Sequence, residues 1–122
     1  MTDLKSKMQL KDSMGGSVIN QPEDVELGFT AKTGDDYVIV FVSSVGEVAE
    51  TVDNALAALR DDGMLWYCYP KKSSGIKTDI NRDNGWAVLS DRGYRGVRAI
   101  SVNDVWTGLR FRERRYVAAK SR

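Results

Sequence analysis

The chain has no histidine, one cysteine and two prolines in 122 residues. Without histidine, a Ser-His-Asp triad, a His-ligated zinc and a His-ligated haem are all excluded. The lone thiol, Cys68, cannot close an intramolecular disulfide and has no second cysteine at metal-ligand spacing, which suits a reducing cytoplasm. Long apolar runs are missing too. The longest, residues 37–42, is far too short to cross a bilayer, so no membrane partner is expected. Residues 1–12 mix charges with isolated apolar side chains, unlike a signal peptide. No lipidation signal and no internal repeat is visible. Nor is one sign of charge in excess: eighteen Lys and Arg face seventeen Asp and Glu, a net charge of +1. No global field therefore marks a nucleic-acid or membrane binder.

What is present fits one globular domain over residues 1–122, with 42% apolar and 29% charged side chains. The charges are balanced in number but segregated along the chain. Residues 1–66 hold five basic and twelve acidic side chains, a balance of −7; residues 67–122 hold thirteen and five, a balance of +8. Arg110, Arg112, Arg114, Arg115, Lys120 and Arg122 crowd the end, so residues 114–122 are expected to form a flexible basic tail. The two halves either neutralise one another in the folded domain or leave a basic face that could bind nucleic acid.

Two segments, residues 37–43 and 64–69, are apolar at both alternating sets of positions, the pattern of strands inside a sheet. A shorter β-prone stretch, 17–21, ends at Pro22. Ser44 with Glu47 reads as a capping box, followed at helical spacing by Val48, Val52, Ala55, Leu56 and Leu59, with Gly63 as the left-handed stop. A second helix is expected from Thr78 or Asp79 to about Arg92, with Ile80, Trp86, Val88 and Leu89 buried and Gly93 as its stop. Strands at 97–102 and 107–113, joined by a short connection, form an antiparallel pair. The order is that of an α/β domain, and two right-handed crossovers in one direction place both main helices on the same face. The opposite face then needs a cover: residues around Leu4 and Met8, residues 25–29, or a second subunit in a homodimer.

The region around residues 56–70, with the run ALRDDGMLWYCYPKK, resembles the end of a class I methyltransferase half. More specifically, GGSVINQPED, LWYCYPKKSSGIKTDINRDNGW and VNDVWTGLRFR together resemble domain of unknown function 3052, a family of small bacterial proteins. That resemblance spans nearly the whole chain and brings no established activity. It implies a truncated Rossmann-like, methyltransferase-like sheet of about five strands. Such a sheet would be mostly parallel, with the last strand inserted antiparallel beside residues 64–69. Methyl transfer is not implied. A dinucleotide or S-adenosylmethionine site needs a glycine-rich turn after its first strand, whereas here Asn20, Gln21, Pro22 and Glu23 follow. No cofactor is therefore expected.

In an open α/β sheet, ligands bind beyond the carboxyl ends of the strands. The richest such segment here is Lys71, Lys72, Ser73, Ser74, Gly75, Lys77 and Thr78. It offers cationic charge, hydroxyls, a flexible turn and, at Thr78, the start of the expected helix, all suited to a phosphate or carboxylate. The Walker pattern is absent, and a solvated loop would look similar. The expected function is a non-catalytic or regulatory module for an anionic small molecule. One rival is an enzyme using Lys71 or Lys72 for charge stabilisation and Asp79 or Asp83 for proton transfer, with Arg82 nearby. The other binds nucleic acid through Arg110, Arg112, Arg114 and Arg115. Cys68, inside an apolar strand, reads as an inert core residue.

Overall fold

The computed structural model describes residues 4–29 and 31–117. Five strands, β1 (Gly16–Ile19), β2 (Tyr37–Phe41), β3 (Met64–Pro70), β4 (Tyr94–Ser101) and β5 (Trp106–Glu113), form one sheet in the order β1-β2-β3-β5-β4. The final strand is thus inserted beside β3, as the resemblance implies. Helices α1 (Leu4–Lys7), α2 (Val45–Ala57), α3 (Ala87–Asp91) and α4 (Arg114–Val117) complete the fold. The sheet is mixed, not mostly parallel. Pairs β1–β2 and β2–β3 are parallel, but the longer ladders β3–β5 and β4–β5 are antiparallel. The reason is the hairpin: its return strand runs through the interior of the sheet, so both its neighbours oppose it.

Alternation on the central strands sorts the core into two layers. Val38 and Val40 of β2 and Val42 just beyond it join Leu65, Tyr67 and Tyr69 of β3, Leu109 and Phe111 of β5, and the buried sides of α2 and α3. Both longer helices thus lie on one face, as the crossover rule requires. Tyr37, Ile39 and Phe41 with Met64, Trp66 and Cys68 face the other way and pack against Met8, Leu10, Val25 and Leu27. The chain covers this second face with its own segments, Met8 being fully buried. The argument for a homodimer from a bare sheet face therefore loses its premise.

At the start of α2, Ser44 Oγ accepts from the Glu47 N–H at 3.2 Å, while the Glu47 carboxylate accepts from the Ser43 N–H at 2.7 Å, one residue earlier than a capping box would place it. After α2 the left-handed residue is Asp62 (φ 55°), not Gly63. Gly63 sits tightly against its neighbours: a Cβ there would come within 2.6 Å of Leu59 Cδ1, so the Leu59 side chain would have to shift.

The second main helix is the largest departure from expectation. Only Ala87–Asp91 is helical, and residues 78–86 form a polar loop. Thr78 Oγ1 accepts from the Ile80 N–H, Asn81 Oδ1 from the Asp83 N–H, and the Asn84 amide donates to the Asp79 carbonyl. Gly85 sits at φ 110°. These local side-chain bonds satisfy backbone groups that a helix would otherwise use, and they outcompete it. The loop still buries Ile80 and Trp86, with the Trp86 indole N–H donating to the Asn81 carbonyl at 2.9 Å.

The expected basic tail also begins differently. Residues 114–117 form α4, tied back by the Tyr116 hydroxyl donating to the Asp61 carboxylate at 2.6 Å. Lys120 and Arg122 lie outside the described residues. Among the described residues, no helix is long and apolar enough to cross a membrane.

Candidate functional site

Strands β1, β2 and β3 run parallel, so their carboxyl ends open on one edge of the sheet, where Asn20 and Pro22 lie beside Ser43, and Ser43 and Ser44 beside Lys77, Thr78 and Asp79. The sequence-predicted anion segment lies here, rearranged. Residues Lys72–Ser74 make one 3-10 turn closed by Gly75 in a left-handed conformation at φ 83°. The Lys71 ammonium is drawn away to Ser101 Oγ at 2.7 Å, and the Ser74 hydroxyl donates to the Lys71 carbonyl at 2.7 Å. Both are occupied in holding the loop. Ser73 and Gly75 are exposed and stand apart from the three clefts described here at this edge. Two lysines remain. Lys72 lines a cleft of about 210 Å³ with Tyr69, Thr78 and Asp79, and Lys77 lines an adjoining one of about 380 Å³ with Ser43, Ser44, Thr78 and Asp79.

The expected helix dipole at Thr78 is absent, because no helix starts there. The helix end at this edge belongs to α2, and its first N–H, that of Val45, donates to Asp79 Oδ1 at 2.8 Å. A side-chain carboxylate thus already holds that position at the helix N-terminus. Asp79 was a candidate proton-transfer group in the sequence; here it is a tertiary helix cap. Asp83 and Arg82 do not join it. They line a different, larger cleft of about 600 Å³ between α3 and β4, floored by Trp86, Leu109 and Phe111. A further cleft, beside Ser43, carries Glu47, Glu50 and Trp106 and is acidic in character.

Cys68 is fully buried, and burial pushes its thiol well above the usual thiol range, as an inert core residue requires. Trp66, Tyr67 and Tyr69 are likewise core; the Tyr67 hydroxyl meets Thr51 Oγ1 at 3.1 Å. No protein-family model matches the chain, and no curated protein does so either.

Sequence reasoning missed the capping role of Asp79 and the α3–β4 cleft. The first had a signal, since an Asp close to the carboxyl ends of the strands can serve a helix other than its own. The second comes from how short α3 is, which only the polar spacing of Asn81, Asp83 and Asn84 hinted at.

Proposed function

We propose that the protein is a non-catalytic or regulatory binding module that takes a small ligand bearing a phosphate or carboxylate. The site is the pair of adjoining clefts along residues 71–79, one of them facing the start of α2, within a truncated Rossmann-like arrangement of β1, β2, α2 and β3. The observation that carries this reading is the position of Lys72 and Lys77. They flank Thr78 at the carboxyl edge of the parallel strands, and among the described residues neither is paired with a carboxylate. The two clefts adjoin at Thr78 and Asp79: an anion in one meets the Lys77 ammonium beside Thr78, Ser43 and Ser44, and in the other the Lys72 ammonium beside Thr78. Asp79, held by Val45, offers an acceptor beside the cationic pair. That favours a ligand whose anionic group neighbours a hydroxyl or amine, such as a sugar phosphate or hydroxy acid, over a bare phosphate.

A catalytic reading finds less support. Asp79 is committed to the helix cap, Lys71 to Ser101, and Asp83 to another cleft. Thermal shift with inorganic phosphate, citrate, glucose 6-phosphate and ATP tests the proposal. At least one should raise the melting temperature of the parent protein and fail to raise that of the Lys72→Ala/Lys77→Ala variant. Equal responses of parent and variant to every probe would refute the site.

A further inference from the structure

The face of the β4–β5 hairpin turned toward the N-terminal segment carries an arrangement that sheets ordinarily avoid. Arg95 lies directly opposite Arg112, and Arg98 directly opposite Arg110. Like charges in opposed cross-strand positions repel and destabilise the pair. Arg112 is compensated, because Asp62 takes its guanidinium in a two-pronged contact at 2.8 Å on each arm. The other three have no such partner. Among the described residues Arg95 and Arg98 make no ion pair, and Arg110 reaches only the neutral Gln9 side chain, at 3.2 Å. Its Nε is buried with no acceptor, and so is Nε1 of Trp66, the residue opposite it on β3. Lys7 from the N-terminal segment adds another cation at the end of the same hairpin, its ammonium on the Ser101 carbonyl at 2.6 Å. Strand β4 contains no acidic residue. Arg95 and Arg98 also border the α3–β4 cleft, where Asp83 stands beside Arg82, so the cations around the hairpin outnumber the carboxylates near them.

We propose that this face of the β4–β5 hairpin binds the phosphate backbone of duplex nucleic acid, without sequence preference, through Arg95, Arg98 and Arg110. This goes beyond the ligand reading above and involves the far edge of the sheet. Guanidinium forks match phosphate oxygens, and a bound phosphate relieves the repulsion between opposed arginines. Arg95 and Arg98 are three residues apart on β4, at most about 10 Å along the strand, and Arg110 lies opposite Arg98, so the three can meet separate phosphates of one backbone. Two alternatives fit less well. A protein partner would want buried aromatic or apolar anchors, and the exposed large apolar side chain on this strand is Val97, at the bulge between Gly96 and Arg98. A single nucleic-acid strand would want exposed aromatics for its bases, yet Trp66 and Trp106 are buried. A second copy paired along the β4 edge would bring Arg95 and Arg98 of both chains together.

The test is fluorescence anisotropy of a labelled mixed-sequence DNA duplex titrated with the full chain over a range of salt concentrations. Three neutralised phosphates predict a slope of log K against log salt of about −2.7, so a fourfold rise in salt weakens binding about fortyfold. Both exposed arginines can be changed without touching the core. The Arg95→Ala/Arg98→Ala variant should keep its far-UV circular dichroism and lose about one unit of slope per arginine, while Arg98→Lys keeps most of it. Lys72→Ala/Lys77→Ala should bind DNA as the parent does, so failure here and failure of the ligand site are separable. The proposal is overturned if the Arg95→Ala/Arg98→Ala variant binds like the parent. It is overturned equally if poly-glutamate competes as well as unlabelled duplex at equal charge, which would make the face a site for acidic protein.

Discussion

Arg112 and Asp62 show how one pair of residues joins the acidic and basic halves of the chain. The guanidinium holds the Asp62 carboxyl below the usual carboxylate range, by hydrogen bonding first and charge second. Asp36 is held low as well, chiefly by the Gly15 backbone N–H at 2.9 Å and then by Arg60. A carboxyl with a depressed pKa in the folded state adds stability above its unfolded value, near 3.9, and that stability is lost as pH falls through the folded value. Melting temperature should therefore be flat near neutrality and fall below about pH 4, with a smaller acid-dependent fall in Asp62→Asn. An unchanged acid limb in that variant would contradict the role given to the pair. Gly63 makes a second prediction at this scale. Gly63→Ala places a methyl against Leu59 and should cost about 1–3 kcal/mol by overpacking, measured by urea denaturation. Charge neutralisation between the halves was legible in the sequence as one of two outcomes. Arg112 with Asp62, and Arg115 with Asp61 at 2.7 Å, follow it, whereas Arg95 and Arg98 do not. Composition counts charges and says nothing about which strand position faces which.

Among the elements, β2, β3 and α2 were the most readable, because each repeats its burial pattern over several residues. Tyr37, Ile39 and Phe41 separate from Val38 and Val40 as alternation requires, and Ser44 caps α2 as its spacing suggests. The 78–86 segment was misread because its apolar residues, Ile80 and Trp86, are compatible with helical spacing while Asn81, Asp83 and Asn84 bond locally. Periodicity reports which residues are buried and not which backbone bonds bury them. The candidate site inherits this: its lysines and Thr78 were legible, its helix dipole was not. Asp79 links loop to helix, so Asp79→Ala should have two opposite effects. It removes the acceptor for the Val45 N–H and should lower stability by about 0.5–2 kcal/mol. Removing a carboxylate beside Lys72 and Lys77 should also tighten binding of a simple anion such as citrate. Calorimetric titration alongside thermal melting reads both, and weaker citrate binding in a folded Asp79→Ala would argue against an anion in this cleft.

At the scale of the whole molecule, the sheet is sandwiched between α2 and α3 on one side and, on the other, the N-terminal segment with its short α1 and the irregular stretch around Val25 and Leu27. The face beneath Met8, Leu10, Val25 and Leu27 contains Ile39, Phe41, Met64 and Trp66, a continuous apolar surface when uncovered. A chain lacking residues 1–14 should therefore self-associate at micromolar concentration while the full chain scatters light as a monomer; a full chain that scatters as a dimer would show that self-coverage is insufficient. The insertion of β5 beside β3 followed from a resemblance in sequence, whereas the covering of the second face was open between three candidates. Isolated residues such as Met8 and Leu10 carry no periodicity to choose among them. The central claim is that the carboxyl edge of the parallel strands is a ligand site. Its most direct measurement is a titration of the ¹⁵N-labelled full chain with citrate, followed amide by amide by NMR. Saturable shifts centred on Lys72, Lys77, Thr78, Asp79 and Val45 are predicted; shifts that are absent, or confined to β4 and β5, would contradict it.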